Sequence, residues 1–278
     1  MMKKIFYLLL ITILPAQGQD AIALLENMVN TINSTNALSI TMTTSERFGD
    51  EMREEKSLFK IQANPLKIYF KQEYPLKNFE ALYREGENNN EVLFAPNGFP
   101  WVSFSLPPNG DRMRVTHHHP IMHAGYHHTA AMVSHILKKY AKTNPDYFVY
   151  EGLVKINGIL CQKVSYTNLA FSIEEYEVQQ GENLHTIGDK LFVNDYMILE
   201  LNPEIKDYLD VKEGDLIKIP SDYSSKMIFY IEKTSGVPKQ IKTYDQKGLF
   251  ESYLYDNIVL NAPFNANTFS TENKDYGF

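Results

Sequence analysis

The chain has 278 residues, of which 44% are hydrophobic and 13% aromatic, and its formal net charge is −7. This apolar content is enough for a packed core, and the length allows one large domain or two small ones. An acidic chain without a run of basic residues is a poor candidate for binding nucleic acid or an anionic membrane surface, so neither partner is expected.

Residues 1–18 have the layout of a signal peptide. Lys3 and Lys4 precede an apolar run from Ile5 to Leu14, and a cut before Gln19 would leave small residues at its −3 and −1 positions. The run is shorter than the roughly 20 residues that span a bilayer, although an uncleaved anchor is the alternative. No cysteine stands directly after the run to be acylated, so we expect a soluble protein of the periplasm or cell envelope that is not a lipoprotein.

The next segment predicts one helix followed by a series of strands. Residues 21–32 place apolar side chains at helical spacing, with Asp20 as the N-cap. The period then changes to two, and turn residues separate the short segments, which is typical of an antiparallel meander. The predicted strands are residues 38–47, 54–62, 66–70, 79–85 and 92–94.

The second half predicts a long loop at 99–120, a helix at 121–140 and further strands. Asn157-Gly158 between two apolar runs is a strong hairpin signal. Because strands lie on both sides of residues 174–222, we interpret that segment as an insertion between neighbouring strands of a larger sheet. The later strands are predicted at residues 148–156, 159–166, 227–232, 237–244 and 250–260.

Seven of the eight histidines fall between His117 and His135. His119, His123 and His127 are four residues apart and would share a face if the helix included His119, so they are the candidate metal ligands. The stretch has no His-Glu-x-x-His motif and no carboxylate after Asp111, which leaves the local site incomplete unless a distant Asp or Glu completes it. We therefore predict no cofactor and prefer histidines that bond the backbone or face solvent; a charge switch near pH 6 is a further alternative.

Residues 176–220 read as strand, helix, helix, strand, with Asn194 or Asp195 capping the second helix. This segment resembles the LysM family over its whole length. The matching residues, in order, are Tyr176, Val178, Gly181, Leu184, Ile187, Leu199, Asn202, Pro203, Leu209, Gly214, Leu216, Ile219 and Pro220.

The resemblance implies binding of glycans that contain N-acetylglucosamine, such as peptidoglycan. The implied groove lies between two loops, with Leu184 and Ile205 as an apolar wall for the sugar. The implied glycan-binding residues are Gly181, Glu182, Asn183, Leu184, Asn202, Pro203, Glu204 and Ile205. Glu182-Asn183 departs from the Asp-Thr of many members. A LysM fold used as a spacer or protein contact is the alternative.

The remainder, residues 19–173 and 223–278, resembles the periplasmic lipoprotein carriers of LolA/LolB-like fold. The resemblance implies an α+β domain with an antiparallel half-barrel-like sheet around helices, and a cavity for acyl chains; a filled core is the alternative. Candidate liners are Leu66, Ile68, Phe70, Phe79 and Tyr83. The segments Phe59–Tyr69, Glu80–Gly86 and His119–Ile121, with Ala124-Gly125, also resemble exported bacterial proteins of unknown function.

These observations favour a binding protein over an enzyme. No nucleophile elbow, phosphate loop or dinucleotide fingerprint is present, so no catalytic residue is predicted. The first hypothesis is an envelope protein that binds peptidoglycan through the LysM-like segment and a lipid, lipoprotein or other envelope partner through the β-rich domain. The alternatives are a metal-dependent cell-wall hydrolase that uses the histidines and a purely structural envelope protein. The lone Cys161 is predicted to be a buried apolar residue.

Overall fold

A computed structural model describes residues 14–96, 98, 101–114 and 116–278. Most of the predicted signal peptide, residues 1–13, lies outside the described residues. The helices, in chain order, are α1 (Leu14–Asn33), α2 (Asp111–Arg114), α3 (His127–Tyr140), α4 (Leu184–Leu191) and α5 (Asp195–Leu201), with single 3-10 turns at Asn88–Asn90, Ile121–His123 and Pro145–Tyr147.

Thirteen strands are described, and eleven of them form one antiparallel sheet. Its spatial order is β6-β5-β4-β3-β2-β1-β13-β12-β11-β8-β7, and its end strands make it an open sheet. The α+β class with an open antiparallel sheet is thereby confirmed. The strands are β1 (Ala37–Phe48), β2 (Glu51–Gln62), β3 (Lys67–Tyr74), β4 (Glu80–Arg84), β5 (Val92–Ala95), β6 (Phe104–Leu106), β7 (Phe148–Ile156), β8 (Ile159–Thr167), β9 (Ile173–Glu177), β10 (Leu216–Pro220), β11 (Lys226–Glu232), β12 (Pro238–Asp245) and β13 (Gly248–Leu260).

One apolar core joins the sheet to α1 and α3. In the β1–β2 hairpin Ile40 lies directly opposite Phe59, and both side chains are buried. α1 contributes Leu25, Met28 and Ile32 to the same cluster, and these positions have the helical spacing seen in the sequence. Period-two strands and an amphipathic helix therefore bury their apolar faces against each other.

The segment before α3 differs from the prediction. The expected loop at 99–120 contains β6, which pairs with β5, and the short helix α2. The helix expected from residue 121 is a 3-10 turn up to His123 and becomes α-helical only at His127. The break occurs because Gly125 takes φ +80°, a left-handed conformation that ends one helical turn before the next begins.

Residues between β8 and β11 form a unit with its own core. Strands β8 and β11 pair directly, with Thr167 opposite Lys226, so the chain leaves the large sheet and returns beside its point of exit. Within this segment β9 and β10 form a separate two-stranded antiparallel sheet, with α4 and α5 between them in the chain. Asn183 and Asn194 cap the two helices with their side chains. The unit's buried cluster consists of Val178, Leu184, Ile187, Val193, Ile198, Tyr208, Ile217 and Ile219.

Candidate functional site

A cavity of about 840 Å³ lies between the sheet and the segment around the start of α3. A row of aromatic side chains crosses its sheet wall, one from each neighbouring strand or the turn beside it. The row consists of Phe59, Phe70, Phe79, Phe94 and Phe104. Successive ring centroids are 5.1, 6.5, 5.3 and 5.6 Å apart, so the rings form a continuous apolar surface. Of the predicted liners, Phe70 and Phe79 line the cavity.

Several large apolar side chains of the cavity lining remain exposed. Met52 is 44% exposed, Tyr74 55%, Leu76 59% and Phe104 39%. Apolar side chains grouped around an opening indicate a surface that contacts an apolar ligand or partner. We call these four residues the mouth of the cavity.

Three histidines converge at the polar end of the cavity. The ring centroids of His123 and His128 are 3.9 Å apart with an angle of 9° between the planes, and His119 lies 5.8 Å from His123 and 5.2 Å from His128. One nitrogen from each ring lies within 4.8 Å of the others. Three imidazoles at this separation are a donor set suited to zinc and related transition metals.

The protonation of these rings follows from their surroundings. Burial, together with the neighbouring histidines, lowers the pKa of His123 to about 2 and that of His128 to about 3. Burial alone would also lower the pKa of His119, but the charge of Glu251 outweighs it and the pKa is raised. His123 and His128 are therefore neutral at physiological pH.

A fully buried carboxylate lies behind His119. Glu251, in β13, accepts hydrogen bonds from Asn194 Nδ2 at 2.8 Å and from the Tyr223 hydroxyl at 3.1 Å, and lies 2.9 Å from His118 Nδ1 and 3.2 Å from His119 Nε2. Burial alone would raise the pKa of Glu251, but the two histidines outweigh it and hold the pKa well below its usual range. Glu251 is therefore ionised and fixed.

Sequence spacing found two members of the histidine cluster and missed the third. His127 lies apart, bonded to the backbone of Thr35, and His128 completes the group with His119 and His123. The four-residue spacing does not apply because Gly125 interrupts the helix between His123 and His127. Glu251 and Tyr223 were not predicted, since only the pairing of distant strands brings them to this end of the cavity.

A second potential donor group lies beside the first. Glu46, His118 and Glu251 are buried and offer oxygen and nitrogen atoms within 4.8 Å of one another. Here the protein already supplies partners: Glu46 accepts from the His118 backbone N–H at 3.0 Å and from the Tyr253 hydroxyl at 2.6 Å. His118 Nε2 lies 2.8 Å from the Arg47 carbonyl oxygen. These hydrogen bonds hold Glu46, His118 and Glu251 in place beside the cluster of three histidines.

The inserted unit closes the polar end from the other side. Arg114 donates to both carboxylate oxygens of Asp195, at 2.7 and 3.0 Å. The ring of Tyr196 stacks on His118 with centroids 4.2 Å apart, and Asn194 reaches Glu251. Consecutive residues at the start of α5 therefore dock the unit on the large sheet.

The predicted glycan-binding residues lie in two loops on the inserted unit. Gly181, Pro203 and Glu204 are exposed. Leu184 is fully buried in the unit's core, so it cannot form an exposed wall for a sugar ring, whereas Ile205 is partly exposed.

The polar members of these loops have structural hydrogen bonds. Asn183 caps α4, and Glu182 accepts from the Tyr176 hydroxyl at 2.8 Å and from the Gln179 backbone N–H at 2.9 Å. Asn202 is 2% exposed and bridges α5 and β10. Their side chains hold the loops in shape, which leaves backbone groups and the exposed residues to contact a ligand.

A family model described as "Protein of unknown function (DUF1571)" matches residues 35–176, just over half of the chain. The chain belongs to this family. The DUF1571 match includes the aromatic row and all three histidines of the cluster and ends in β9, at the start of the inserted unit. No match was found among curated proteins.

Solved structures similar to this DUF1571 protein share little sequence with it. LprF from Mycobacterium bovis is 11% identical, with a TM-score of 0.43, and the match covers 90% of this chain and 96% of that one. The lipoprotein LppX of Mycobacterium tuberculosis is 10% identical, with a TM-score of 0.42 and coverage of 89% and 98%. MucB in the Pseudomonas aeruginosa MucA/MucB complex is 8% identical, with a TM-score of 0.41 and coverage of 90% and 60%.

Among the described residues, no helix combines the length and apolarity that a bilayer-spanning segment needs.

Proposed function

We propose that the protein is exported to the periplasm or cell envelope and binds acyl chains of a lipid or lipoprotein in the cavity of its large sheet. The observation that carries this proposal is the cavity of about 840 Å³ with an aromatic wall and an exposed apolar mouth. Ligand pockets commonly have volumes of about 300–1,000 Å³ and are lined mainly by apolar and aromatic groups. A purely structural protein with a filled core would have no use for this space.

The energetics favour an acyl chain over a polar ligand. Each buried CH₂ group contributes ~0.8 kcal/mol, so a chain of about ten such groups gains roughly 8 kcal/mol before the cost of immobilisation is subtracted. The walls include the rings of Phe59, Phe70 and Phe94, and polar side chains lie at the histidine end as well as on β2 beside the mouth. The tail would therefore lie along the aromatic row, with a polar head towards His119.

Lipid uptake tests this proposal. Purified protein is titrated with a fluorescent fatty acid, and co-purified lipid is extracted and identified by mass spectrometry. Met52→Asp with Leu76→Asp puts charge at the mouth without touching the core, and we expect at least about a tenfold loss of affinity. The control is Leu169→Asp, because Leu169 is 77% exposed and does not line the cavity. Wild-type protein that takes up no fatty acid and carries no lipid would refute the proposal.

We also propose that residues 174–222 form a LysM-type module that binds N-acetylglucosamine glycans of peptidoglycan and retains the protein at the wall. The support is the order of matching residues from Tyr176 to Pro220, together with the exposure of Gly181, Pro203 and Glu204. The hydrogen bonds described for the side chains of Glu182, Asn183 and Asn202 stay within the module, and the exposed residues of the two loops are accessible to a glycan.

Sedimentation with insoluble peptidoglycan tests the glycan proposal. Deleting the whole module is unsuitable, because it would remove hydrogen-bond partners of the large domain: Asn194 donates to Glu251, and Asp195 accepts from Arg114. Glu204→Trp places a bulky side chain over the exposed loop and should leave the protein in the supernatant. Glu272→Trp, at an exposed site outside the module, is the matched control and should sediment like wild type. If wild type stays in the supernatant, the module is a spacer or a protein contact.

A further inference from the structure

We propose that His119, His123 and His128 form a binding site for one divalent transition-metal ion of the zinc class, at the polar end of the cavity. This site is separate from the acyl-chain and glycan proposals and can be correct if either of them fails. It rests on three observations: the convergence of the rings, unpartnered ring nitrogens, and a carboxylate behind one ligand.

The first observation is geometric. His119 lies just before Pro120, His123 ends a 3-10 turn and His128 lies in the first turn of α3, yet their ligand atoms fall within 4.8 Å of one another. Zinc–nitrogen bonds of about 2.0–2.1 Å in a tetrahedral site put ligand nitrogens about 3.4 Å apart, so the rings must rotate inward by about 1 Å. Small rotations about side-chain torsions supply a movement of that size without a change in the backbone.

The second observation is a lack of hydrogen bonds where they would be expected. Among the described residues, His123 Nδ1 and His128 Nε2 are buried and have no hydrogen-bond partner. Buried polar atoms normally have a partner, and those that lack one often mark the binding position of a water molecule or an ion. These two nitrogens belong to stacked rings in the same cluster, so one ion could satisfy both.

The third observation concerns the atoms behind His119. Its Nε2 lies 2.9 Å from the Tyr223 hydroxyl oxygen and 3.2 Å from Glu251 Oε1. Because Tyr223 donates its own hydrogen to Glu251 Oε2, the hydroxyl oxygen accepts from the ring N–H of His119. In this tautomer Nδ1 of His119 carries the free lone pair, so it is the nitrogen available to a metal. Metal-bound histidines commonly donate their second ring nitrogen to a carboxylate in this way, which fixes the tautomer and the ring orientation.

Three protein ligands leave a fourth position on the ion. The three histidines line both the large cavity and a smaller space of about 220 Å³ against the inserted unit, where Asp189 and Asp195 also lie. The fourth position would therefore hold a water molecule or an oxygen of the bound ligand. A metal at this point would bind the polar head of a cavity ligand.

Metal titration of tag-free protein tests the site. The protein is stripped with a chelator, Zn²⁺ binding is measured by calorimetry, and Co²⁺ is used as a visible-absorption probe of a low-coordinate nitrogen site. We expect about one ion per chain, and a loss of affinity of about a hundredfold in His128→Ala. Tyr223→Phe should weaken binding about tenfold by removing the partner of His119.

The matched control is His127→Ala. His127 precedes His128 on α3 but lies apart from the cluster, so its removal should leave the affinity unchanged. If the wild type binds clearly less than one Zn²⁺ ion per chain, that result alone overturns the proposal. Equal losses in His127→Ala and His128→Ala, in proteins with wild-type circular dichroism, would also overturn it.

Discussion

Arg114 donates two hydrogen bonds to Asp195, at 2.7 and 3.0 Å, and thereby joins the large sheet domain to the inserted unit. The Arg114 side chain is 1% exposed and that of Asp195 is 12% exposed. His185 Nδ1 lies 2.6 Å from the same carboxylate, and the Arg114 guanidinium lies 4.6 Å from the centre of the Tyr208 ring. Removing one charge from a buried pair leaves its partner uncompensated, so this contact is a sensitive test of the docking.

Asp195→Asn should lower the free energy of unfolding by about 3 kcal/mol, because Arg114 stays buried without a negative partner. Chemical unfolding followed by circular dichroism measures this loss. Asp50→Asn, at an exposed site, is the control and should change stability little. A loss below about 0.5 kcal/mol in Asp195→Asn would contradict the buried pair.

The same pair makes stability depend on pH. Burial alone would raise the pKa of Asp195, but hydrogen bonds from His185 and Arg114 outweigh it, and the folded-state pKa lies below the ordinary 3.8. The unfolded chain therefore binds a proton at Asp195 more tightly than the folded protein does. The contribution of Asp195 to folding stability is complete above about pH 5, and it is lost as the pH falls through 3.8 towards the folded pKa. The difference in stability between wild type and Asp195→Asn should shrink over that range; a constant difference would contradict this assignment.

The strands could be predicted because apolar and polar residues alternate along them in the sequence. The histidine site could not be predicted because it depends on tertiary contacts. Ile40 and Phe59 face one core from paired strands, and period two in the sequence indicates both. Asn194 or Asp195 was expected to cap α5; the cap is Asn194, and its amide also reaches Glu251 in β13. Nothing local to Asn194 indicates that contact, since sheet pairing and domain docking create it.

The same limit applies to the predicted glycan groove. Sequence matching found the loop positions but could not separate side chains that shape a loop from those that are exposed. Leu184 and Asn202 belong to the first kind, because one fills the core and the other bridges two elements. Pro203 and Glu204 belong to the second.

Asn202→Ala should destabilise the inserted unit. Its amide donates to the carbonyls of Ile198 and Lys218, both at 2.7 Å, and its oxygen accepts from the Lys218 N–H at 2.8 Å. Loss of these bonds leaves the buried Ile198 carbonyl and the part-buried backbone groups of Lys218 without their partner, at a cost of about 2 kcal/mol. Backbone hydrogen exchange in α5 and β10 should be faster in Asn202→Ala than in the wild type. The control is Asn33→Ala, at an exposed helix end, which should leave exchange in α5 and β10 unchanged. Wild-type exchange rates in Asn202→Ala would contradict this role.

Cys161 should be unreactive in the folded protein. It is fully buried in β8, and burial followed by the charge of Glu232 raises the pKa of its thiol, so thiolate is scarce. A thiol reagent at mildly alkaline pH should label the chain only after denaturant is added. Cys161→Ser supplies the blank for both conditions. Rapid labelling of the native protein would show that β8 does not pack as described.

Gly125→Ala should cost more stability than the same substitution at Gly86. Both glycines have positive φ, +80° and +78°, so an added Cβ strains both backbones, at about 1 kcal/mol each. At Gly86 the Cβ would meet no atom within 4 Å, whereas at Gly125 it would lie 2.7 Å from Ile61 Cδ1 and 3.3 Å from Leu38 Cδ2. Overlap with the buried core adds about 1–3 kcal/mol at Gly125 alone.

Thermal unfolding of the two variants measures that difference directly. Because Gly125 lies between His123 and His128, a backbone shift that relieves the overlap would also move one of these histidines. Gly125→Ala should therefore weaken Zn²⁺ binding, whereas Gly86→Ala should bind like wild type. Equal stabilities in the two variants would mean that the chain between His123 and α3 does not pack against Ile61 as closely as the structure has it.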